Sequence, residues 1–229
     1  MDAESRHCEV LRYTHAFSEL KSSHHFLYDF PWDAGDTSFD RVIFGINPGE
    51  TKQDWKTCPD SAQPQTRVRN FRDEYQVNRL STNSVKWRNC VEYYCGLKGS
   101  LQTEFFFWSS PRTNSKFVER FGRPLEECED HLKFCMRMNK ILLDEVKPKS
   151  VIAPGLSSAK FAKYYSLSFE SIIRASNHHR LVELWRDESG LPWLFTKHWT
   201  GARFFTKDQK EDIRAAIKAV ELTDQLPNY

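Results

Sequence analysis

Residues 41–50 read RVIFGINPGE, a short apolar run that ends in a turn rich in glycine and proline. The run at 42–44 is β-branched or aromatic, which is typical of a strand buried on both faces of a parallel sheet. Gly45 and the segment 47–49 stop the strand, because glycine adopts backbone angles that other residues avoid and proline fixes φ and lacks an N–H donor. Asn47 therefore follows the carboxyl end of a predicted central strand, where open α/β sheets build their sites.

The composition indicates a folded globular chain. Its 229 residues are 39% hydrophobic and 14% aromatic, enough for one good core. No apolar run approaches the roughly 20 residues of a membrane span, and the first ten residues lack the basic and apolar regions of a signal peptide. We therefore expect an intracellular protein, cytoplasmic or, in a eukaryote, nuclear, with no membrane partner. A net charge of +2 does not prove nucleic-acid binding, but it permits a local basic face.

The cysteines do not predict a metal site. Six are scattered along the chain, and none forms a C-x-x-C pair. Cys90 and Cys95 are separated by four residues, with no second matching pair. Structural zinc sites usually show closer paired ligands, so we expect no metal.

Later segments complete an α/β pattern. The sequence predicts further buried strands at 105–108 and 150–154, a hairpin at 181–197, and helices at 85–97, 125–146, 157–165 and after a capping box at 206–209. We expect a three-layer sandwich with a central, mainly parallel, four-stranded sheet and helices on both faces. Residues 1–229 are interpreted as a single domain, with 1–40 as an N-terminal helical extension packed on it.

Three segments together resemble one enzyme family. They are GINPG at 45–49, KPKSVIAPGLSSAKF at 147–161 and HWTGAR at 198–203. In this order they resemble the motifs of the uracil-DNA glycosylase superfamily, closest to its mismatch-specific and single-strand-selective branches, over residues 40–220. At the second motif that family has His or Asn, then Pro and Ser. His198, Thr200 and Gly201 match it, whereas Trp199 replaces the usual Pro.

The resemblance implies two catalytic residues and a base pocket. Asn47 would position the attacking water, and His198 would donate a hydrogen bond to the departing base while neutral. The pocket residues implied are Gly45, Ile46, Pro48, Trp55, Phe71, Ser109, Ser110 and Asn114. Trp55, Phe71 and Tyr75 are alternatives for the aromatic that stacks on the base. Ser109 and Ser110 stand near where uracil-excising relatives carry an Asn that reads the pyrimidine edge, which makes a larger or modified base plausible.

The resemblance also implies DNA contacts. The residues concerned are Gly49, Arg112, Trp199, Thr200, Gly201 and Arg203. Thr200 and Gly201 would hold a phosphate through hydroxyl and amide donors. Arg203, or in second place Trp199, would enter the duplex and fill the gap left by the flipped base.

The function implied is that of a monofunctional DNA glycosylase acting on an altered pyrimidine. It would need no cofactor, including the iron–sulfur cluster of some branches, and would act as a monomer on double- or single-stranded DNA. Its role would be base-excision repair, or defence against viral DNA with modified bases. Two alternatives stay open: a non-catalytic nucleic-acid-binding protein on the same fold, and a hydrolase of free nucleosides.

Overall fold

A computed structural model gives the fold of this chain as α/β. It describes residues 4–6, 8–10, 12–13, 39–47, 82–108, 110, 117–118, 121–175, 179–200 and 206–227. Within these ranges the chain forms six strands of one mixed sheet together with α- and 3-10 helices.

The strands form a sheet in the order β2-β1-β3-β6-β5-β4. They are β1 (Arg41–Gly45), β2 (Ser100–Glu104), β3 (Ser150–Pro154), β4 (Ser168–Arg174), β5 (Arg180–Arg186) and β6 (Pro192–Thr196). The sheet thus has six strands where we expected four, because β5, which we predicted only as part of a hairpin, and β4 extend it beyond β6.

Four neighbouring strands make the parallel part of the sheet. β1 pairs in parallel with β3, and β3 pairs in parallel with β6. β2 runs parallel to β1, because Gly99 O accepts from Arg41 N at one end and Phe105 N donates to Gly45 O at the other. The apolar residues of β1 are buried, as the sequence predicted for a strand covered on both faces.

The sequence predicts only one of the two antiparallel strand pairs. The predicted hairpin is confirmed as β5 and β6, which pair antiparallel. β4 was not predicted; it pairs antiparallel with β5, and two register shifts interrupt the ladder. Its first three residues are exposed. An edge strand with a solvated start lacks the apolar run or clean alternation by which strands are recognised.

The second strand lies earlier than expected. We predicted a strand at 105–108, whereas β2 covers Ser100–Glu104 and the aromatic run follows it. All five residues of β2 are buried although most are polar. Burying polar groups costs free energy unless they are hydrogen-bonded. Asn139 offsets part of this cost, because it accepts a hydrogen bond from Thr103 Oγ1 (2.7 Å) and donates one to Glu104 O (2.9 Å).

The helices follow the predicted pattern closely. The α-helices are α1 (Thr82–Tyr94), α2 (Glu129–Val146) and α3 (Lys207–Thr223), and the 3-10 helices are Leu125–Glu127 and Leu156–Tyr165. Residues 4–6, 8–10 and 12–13 are helical as well. α1 is followed by Gly96, whose φ of 78° suits a helix C-terminus. Thr206 caps α3 by accepting a hydrogen bond from Gln209 N at 3.2 Å.

The chain divides into two compact units. The first comprises 1–37, 45–70 and 102–146, and the second comprises 38–44, 71–101 and 147–229. In the first unit, α2 buries Leu132, Cys135, Met138 and Leu142, as its periodicity predicted. Two further residues of α2, His131 and Phe134, form an aromatic cluster with Tyr13, Phe106 and Trp108.

Helices cover both faces of the sheet within the second unit. On one face, α1 and α3 pack residues such as Val91 and Ile217 against Ile43 and Ile152. On the opposite face, Tyr165 of the long 3-10 helix contacts Phe44 and Trp193, with ring centroids 5.7 and 4.8 Å away. The predicted layering is therefore present in this unit.

No helix among the described residues combines the length and the apolar character that crossing a membrane requires.

Candidate functional site

Asn47 is fixed in the first unit just beyond the end of β1. Its Nδ2 donates to Ser110 Oγ at 2.8 Å and lies 3.4 Å from Trp108 O. A carbonyl oxygen only accepts hydrogen bonds, so the atom that faces Trp108 must be the amide nitrogen. The orientation of the Asn47 amide is therefore set by the chain that follows β2.

Ser110 has a place that sequence reasoning did not anticipate. We expected it to contact the base directly, whereas its hydroxyl contacts the Asn47 amide and the residue is buried. This contact orients the Asn47 amide, and the expected contact of Ser110 with the base stays a prediction. The two residues are 63 positions apart, and no local sequence signal reports such a pair.

Gly45 allows a buried carboxyl group to approach the first motif. A Cβ added at Gly45 would lie 2.6 Å from Cδ of Glu104, which real Cβ atoms essentially never show. The Glu104 side chain therefore occupies the space that a side chain at position 45 would need. Ile46, the next residue, is tied to the same chain segment, because its carbonyl accepts from Phe106 N at 3.0 Å.

Glu104 is a residue that the sequence analysis missed. It is buried, and Gln102 Nε2 donates to its Oε1 at 2.9 Å. The available signal was an acidic residue directly before the run FFFW. Because we placed the strand on that run, the acid was expected to precede the strand and not to end it beside Gly45.

His198 lies in the second unit, two residues after β6. Its Nδ1 lies 3.2 Å from the backbone N of Thr200 and 3.3 Å from Thr200 Oγ1. A backbone N–H only donates, so Nδ1 accepts and the proton of the neutral ring is on Nε2. The imidazole therefore offers an Nε2–H donor.

The surroundings of His198 favour the neutral ring. Part of the residue is exposed, yet the protein packed around the ring disfavours the charged form, and this burial lowers the pKa of His198 below its ordinary value. The Lys86 ammonium lowers the pKa in the same direction. Burial is the larger of the two causes.

A glycine lies beside the ring where β3 ends. A Cβ added at Gly155 would lie 3.6 Å from Cδ2 of His198 and 3.3 Å from Ser158 Oγ. The φ of Gly155 is 128°, a conformation that other residues rarely adopt. Since β3 and β6 are parallel neighbours, Gly155 and His198 follow the carboxyl ends of adjacent strands.

Trp199 corrects one of the predicted DNA contacts. We named it as a second candidate to enter the duplex, but only 5% of it is exposed. Its ring stacks on Trp87 and Tyr94, with centroids 5.4 and 4.8 Å away. A side chain packed in this way is part of the core, so Trp199 is not the residue that fills a gap in DNA.

Thr200 engages the protein through three atoms. Its backbone N and its hydroxyl face His198, and its carbonyl accepts from Lys86 Nζ at 3.0 Å. The expected phosphate contact through its hydroxyl stays a prediction.

Nine of the residues predicted for the site lie outside the described part of the chain. They are Pro48, Gly49, Trp55, Phe71, Ser109, Arg112, Asn114, Gly201 and Arg203. Tyr75, the third candidate to stack on the base, also lies outside it. Among the described residues, no group of three or more His, Cys, Asp or Glu side chains is arranged to hold a metal ion.

Comparison with known proteins adds no family assignment. No protein-family model matches this sequence, and a search of curated proteins finds no significant match.

Proposed function

We propose that this protein is a monofunctional DNA glycosylase, which flips an altered pyrimidine out of DNA and hydrolyses its N-glycosidic bond. The proposal combines the three motifs that resemble the uracil-DNA glycosylase superfamily with the geometry around His198. Four parallel strands, and helices on both faces of the second unit, support the uracil-DNA glycosylase-like fold that the resemblance implies.

The contact between Thr200 N–H and His198 Nδ1 is the observation that carries this proposal. Breaking an N-glycosidic bond leaves negative charge on the base, and a hydrogen-bond donor aimed at that charge lowers the barrier. One such donor can contribute about 3–4 kcal/mol. Because Thr200 N–H donates to Nδ1, a neutral His198 has its donor on Nε2. A neutral donor also avoids transferring a proton before the bond breaks.

Asn47 supports the other half of the reaction. Its nitrogen donates to Ser110, so the amide is oriented with Oδ1 at the opposite end, as an acceptor for a water proton. An amide does not act as a strong base. Asn47 therefore contributes by positioning the water, and placement of the reactants accounts for its effect.

The reaction then balances as a simple hydrolysis. The water oxygen bonds to C1′ of the sugar as the bond from C1′ to the base nitrogen breaks. The electron pair of that bond leaves with the base, which accepts a hydrogen bond from His198 Nε2–H. The proton lost by the water passes to solvent or to the released base. The products are an abasic site and a free base.

The substrate class is an altered pyrimidine. Because Ser110 is bound to Asn47, reading of the base edge falls to Ser109 and Asn114 in this proposal. A serine at that place leaves more room than an asparagine and makes a less specific hydrogen-bond pair. A deaminated or oxidised base suits a repair enzyme, and a bulky modified base suits defence against viral DNA.

The proposal is tested by base release from DNA oligonucleotides. The panel carries uracil, mismatched thymine, 5-hydroxymethyluracil, 5-hydroxymethylcytosine and glucosylated 5-hydroxymethylcytosine, with alkali to cleave at abasic sites. We expect release of at least one base by the wild type. The single-turnover rate should fall about 100-fold or more in Asn47→Ala and in His198→Ala. If both residues act as a unit on one bond, the loss of rate in the double variant should be smaller than the product of the two single losses.

Matched control variants distinguish the loss of a site residue from a non-specific effect of substitution on the folded protein. Asn89→Ala and His179→Ala remove the same two side-chain types at exposed positions, and we expect both variants to keep the wild-type rate. DNA binding without release of any base would contradict the proposal and favour the non-catalytic binding protein. Release only from free nucleosides would favour the nucleoside hydrolase.

A further inference from the structure

One helix of the second unit holds the turn that carries His198. The side chains concerned project from α1, at positions 86, 87, 90 and 94. Lys86 Nζ donates to Thr200 O, and Cys90 Sγ lies 3.8 Å from Trp199 O. Trp87 and Tyr94 stack on the Trp199 ring. The turn at 198–200 is therefore attached to α1 by both its backbone and its buried ring.

Lys86 is the charged member of this set. It is exposed, and its ammonium reaches the Thr200 carbonyl at 3.0 Å. The backbone N of Thr200 lies 3.2 Å from His198 Nδ1. Thr200 is thus held at its carbonyl by Lys86 while its N–H is directed at the imidazole. Loss of the first contact would loosen the residue that makes the second.

We propose that Lys86 is a positioning residue for His198, which fixes the Thr200 backbone so that the imidazole keeps its acceptor at Nδ1 and its donor at Nε2. This inference rests on the proposed function, because it concerns the donor assigned there to the departing base. Lys86 acts through Thr200 and His198 and is not itself a catalytic residue.

The charges around the turn favour the same state of the ring. If Nδ1 became protonated, its N–H would face the N–H of Thr200, and two donors in contact disrupt the turn. Lys86 opposes that protonation, and its removal moves the pKa of His198 upward toward the ordinary value. Burial raises the pKa of the neighbouring Cys90 thiol, which stays neutral at neutral pH.

The charged groups of α3 act on other partners. Lys210 lowers the pKa of Cys90, whereas Glu211 accepts a hydrogen bond from Tyr93 Oη at 2.6 Å. Among the described residues, Lys86 is therefore the charged group whose effect reaches His198.

The first test is nuclear magnetic resonance of the histidine rings in the full chain without DNA. Lys86→Met keeps a side chain of similar length but removes the charge and the hydrogen-bond donors. Lys86→Arg keeps the charge and the donors. Lys218→Met makes the same chemical change at an exposed position of α3 in the same unit. In the wild type we expect a single tautomer of His198 with the proton on Nε2.

We expect Lys86→Met to raise the pKa of His198 and to mix its two tautomers, while Lys86→Arg and Lys218→Met leave both unchanged. An unchanged tautomer and pKa in Lys86→Met, with the fold retained by circular dichroism, would overturn the inference. This outcome does not depend on whether any base is released, so failure of the proposed function is distinguishable from failure of this inference.

The second test is the pH profile of single-turnover base release. The rate should fall on the acid side as His198 becomes protonated. In Lys86→Met the acid limb should move to higher pH, so that the loss of rate is larger at acid pH than at neutral pH, with full rescue in Lys86→Arg. If the rate of Lys86→Met is lower by the same factor at every pH and the acid limb does not move, Lys86 acts in DNA binding or folding. That result would overturn the positioning role.

Discussion

At the residue scale, two residues of the first motif contact side chains that lie far away in the sequence. Gly45 lies against the buried carboxyl group of Glu104, and Asn47 is oriented by Ser110. Sequence reasoning found both motif residues, because strand-ending glycine and asparagine have recognisable local chemistry. It did not predict these two contacts, whose partners lie 59 and 63 positions further along the chain: Glu104 was not named, and Ser110 was named for the base and not for Asn47.

Because the Glu104 carboxyl group lies against Gly45, we predict that position 45 does not tolerate a side chain. Gly45→Ala would place Cβ against the carboxyl group, and we expect a loss of about 1–3 kcal/mol in the free energy of unfolding, measured in urea. Gly96→Ala is the control, since its Cβ would meet no atom within 4 Å and only its φ of 78° is unfavourable.

The closeness of Glu104 to Gly45 also predicts that the effects of substitutions at these two positions depend on each other. In the double variant Gly45→Ala with Glu104→Ala the clash is gone, so the two losses should not add, and the interaction energy should exceed about 0.5 kcal/mol. Simple additivity would mean that Glu104 does not restrict position 45.

At the element scale, one ion pair connects the start of β1 to the end of α3. Arg41 donates to Glu221 twice, from Nε at 2.6 Å and from Nη2 at 2.9 Å. Arg41 Nη1 also donates to Cys95 O at 2.6 Å. The side chains of Arg41 and Glu221 are only 11% and 14% exposed, so solvent screens this pair weakly.

We predict that breaking this pair is costly. Arg41→Met or Glu221→Gln should each lower the free energy of unfolding by about 3 kcal/mol, because each leaves a buried partner uncompensated. The exposed pair between Lys149 and Asp40 is the control, and Lys149→Met should cost less than about 1 kcal/mol. Equal losses for Arg41→Met and Lys149→Met would mean that burial of the pair does not matter.

At the scale of the whole molecule, a buried histidine should make stability depend on pH. His131 lies in the aromatic cluster of the first unit, where burial and then Arg123 lower its pKa to about 4. The unfolded chain binds the proton near pH 6.5. The stabilisation is therefore complete above about pH 6.5, falls as pH decreases from there to about 4, and amounts to roughly 3 kcal/mol in total.

His131→Phe should remove this dependence. Phenylalanine keeps an aromatic ring beside Tyr13, Phe106 and Trp108 but takes up no proton. The difference in free energy of unfolding between variant and wild type should change steadily from pH 6.5 to 4, as measured by urea unfolding across that range. A difference that stays constant with pH would show that His131 does not titrate on unfolding.

Local sequence patterns are sufficient to predict several of the helices and strands. Apolar runs identified β1, β3 and the β5–β6 hairpin, and helical periodicity identified α2 and α3 with its capping threonine. Tertiary structure alone decided that a largely polar segment forms β2, that β4 extends the sheet and that Trp199 belongs to the core. It also decided that Lys86 contacts Thr200 and that Ser110 contacts Asn47. The physical reason is that periodicity reports burial within one element, whereas these features depend on hydrogen-bond and stacking partners that only the folded chain brings together.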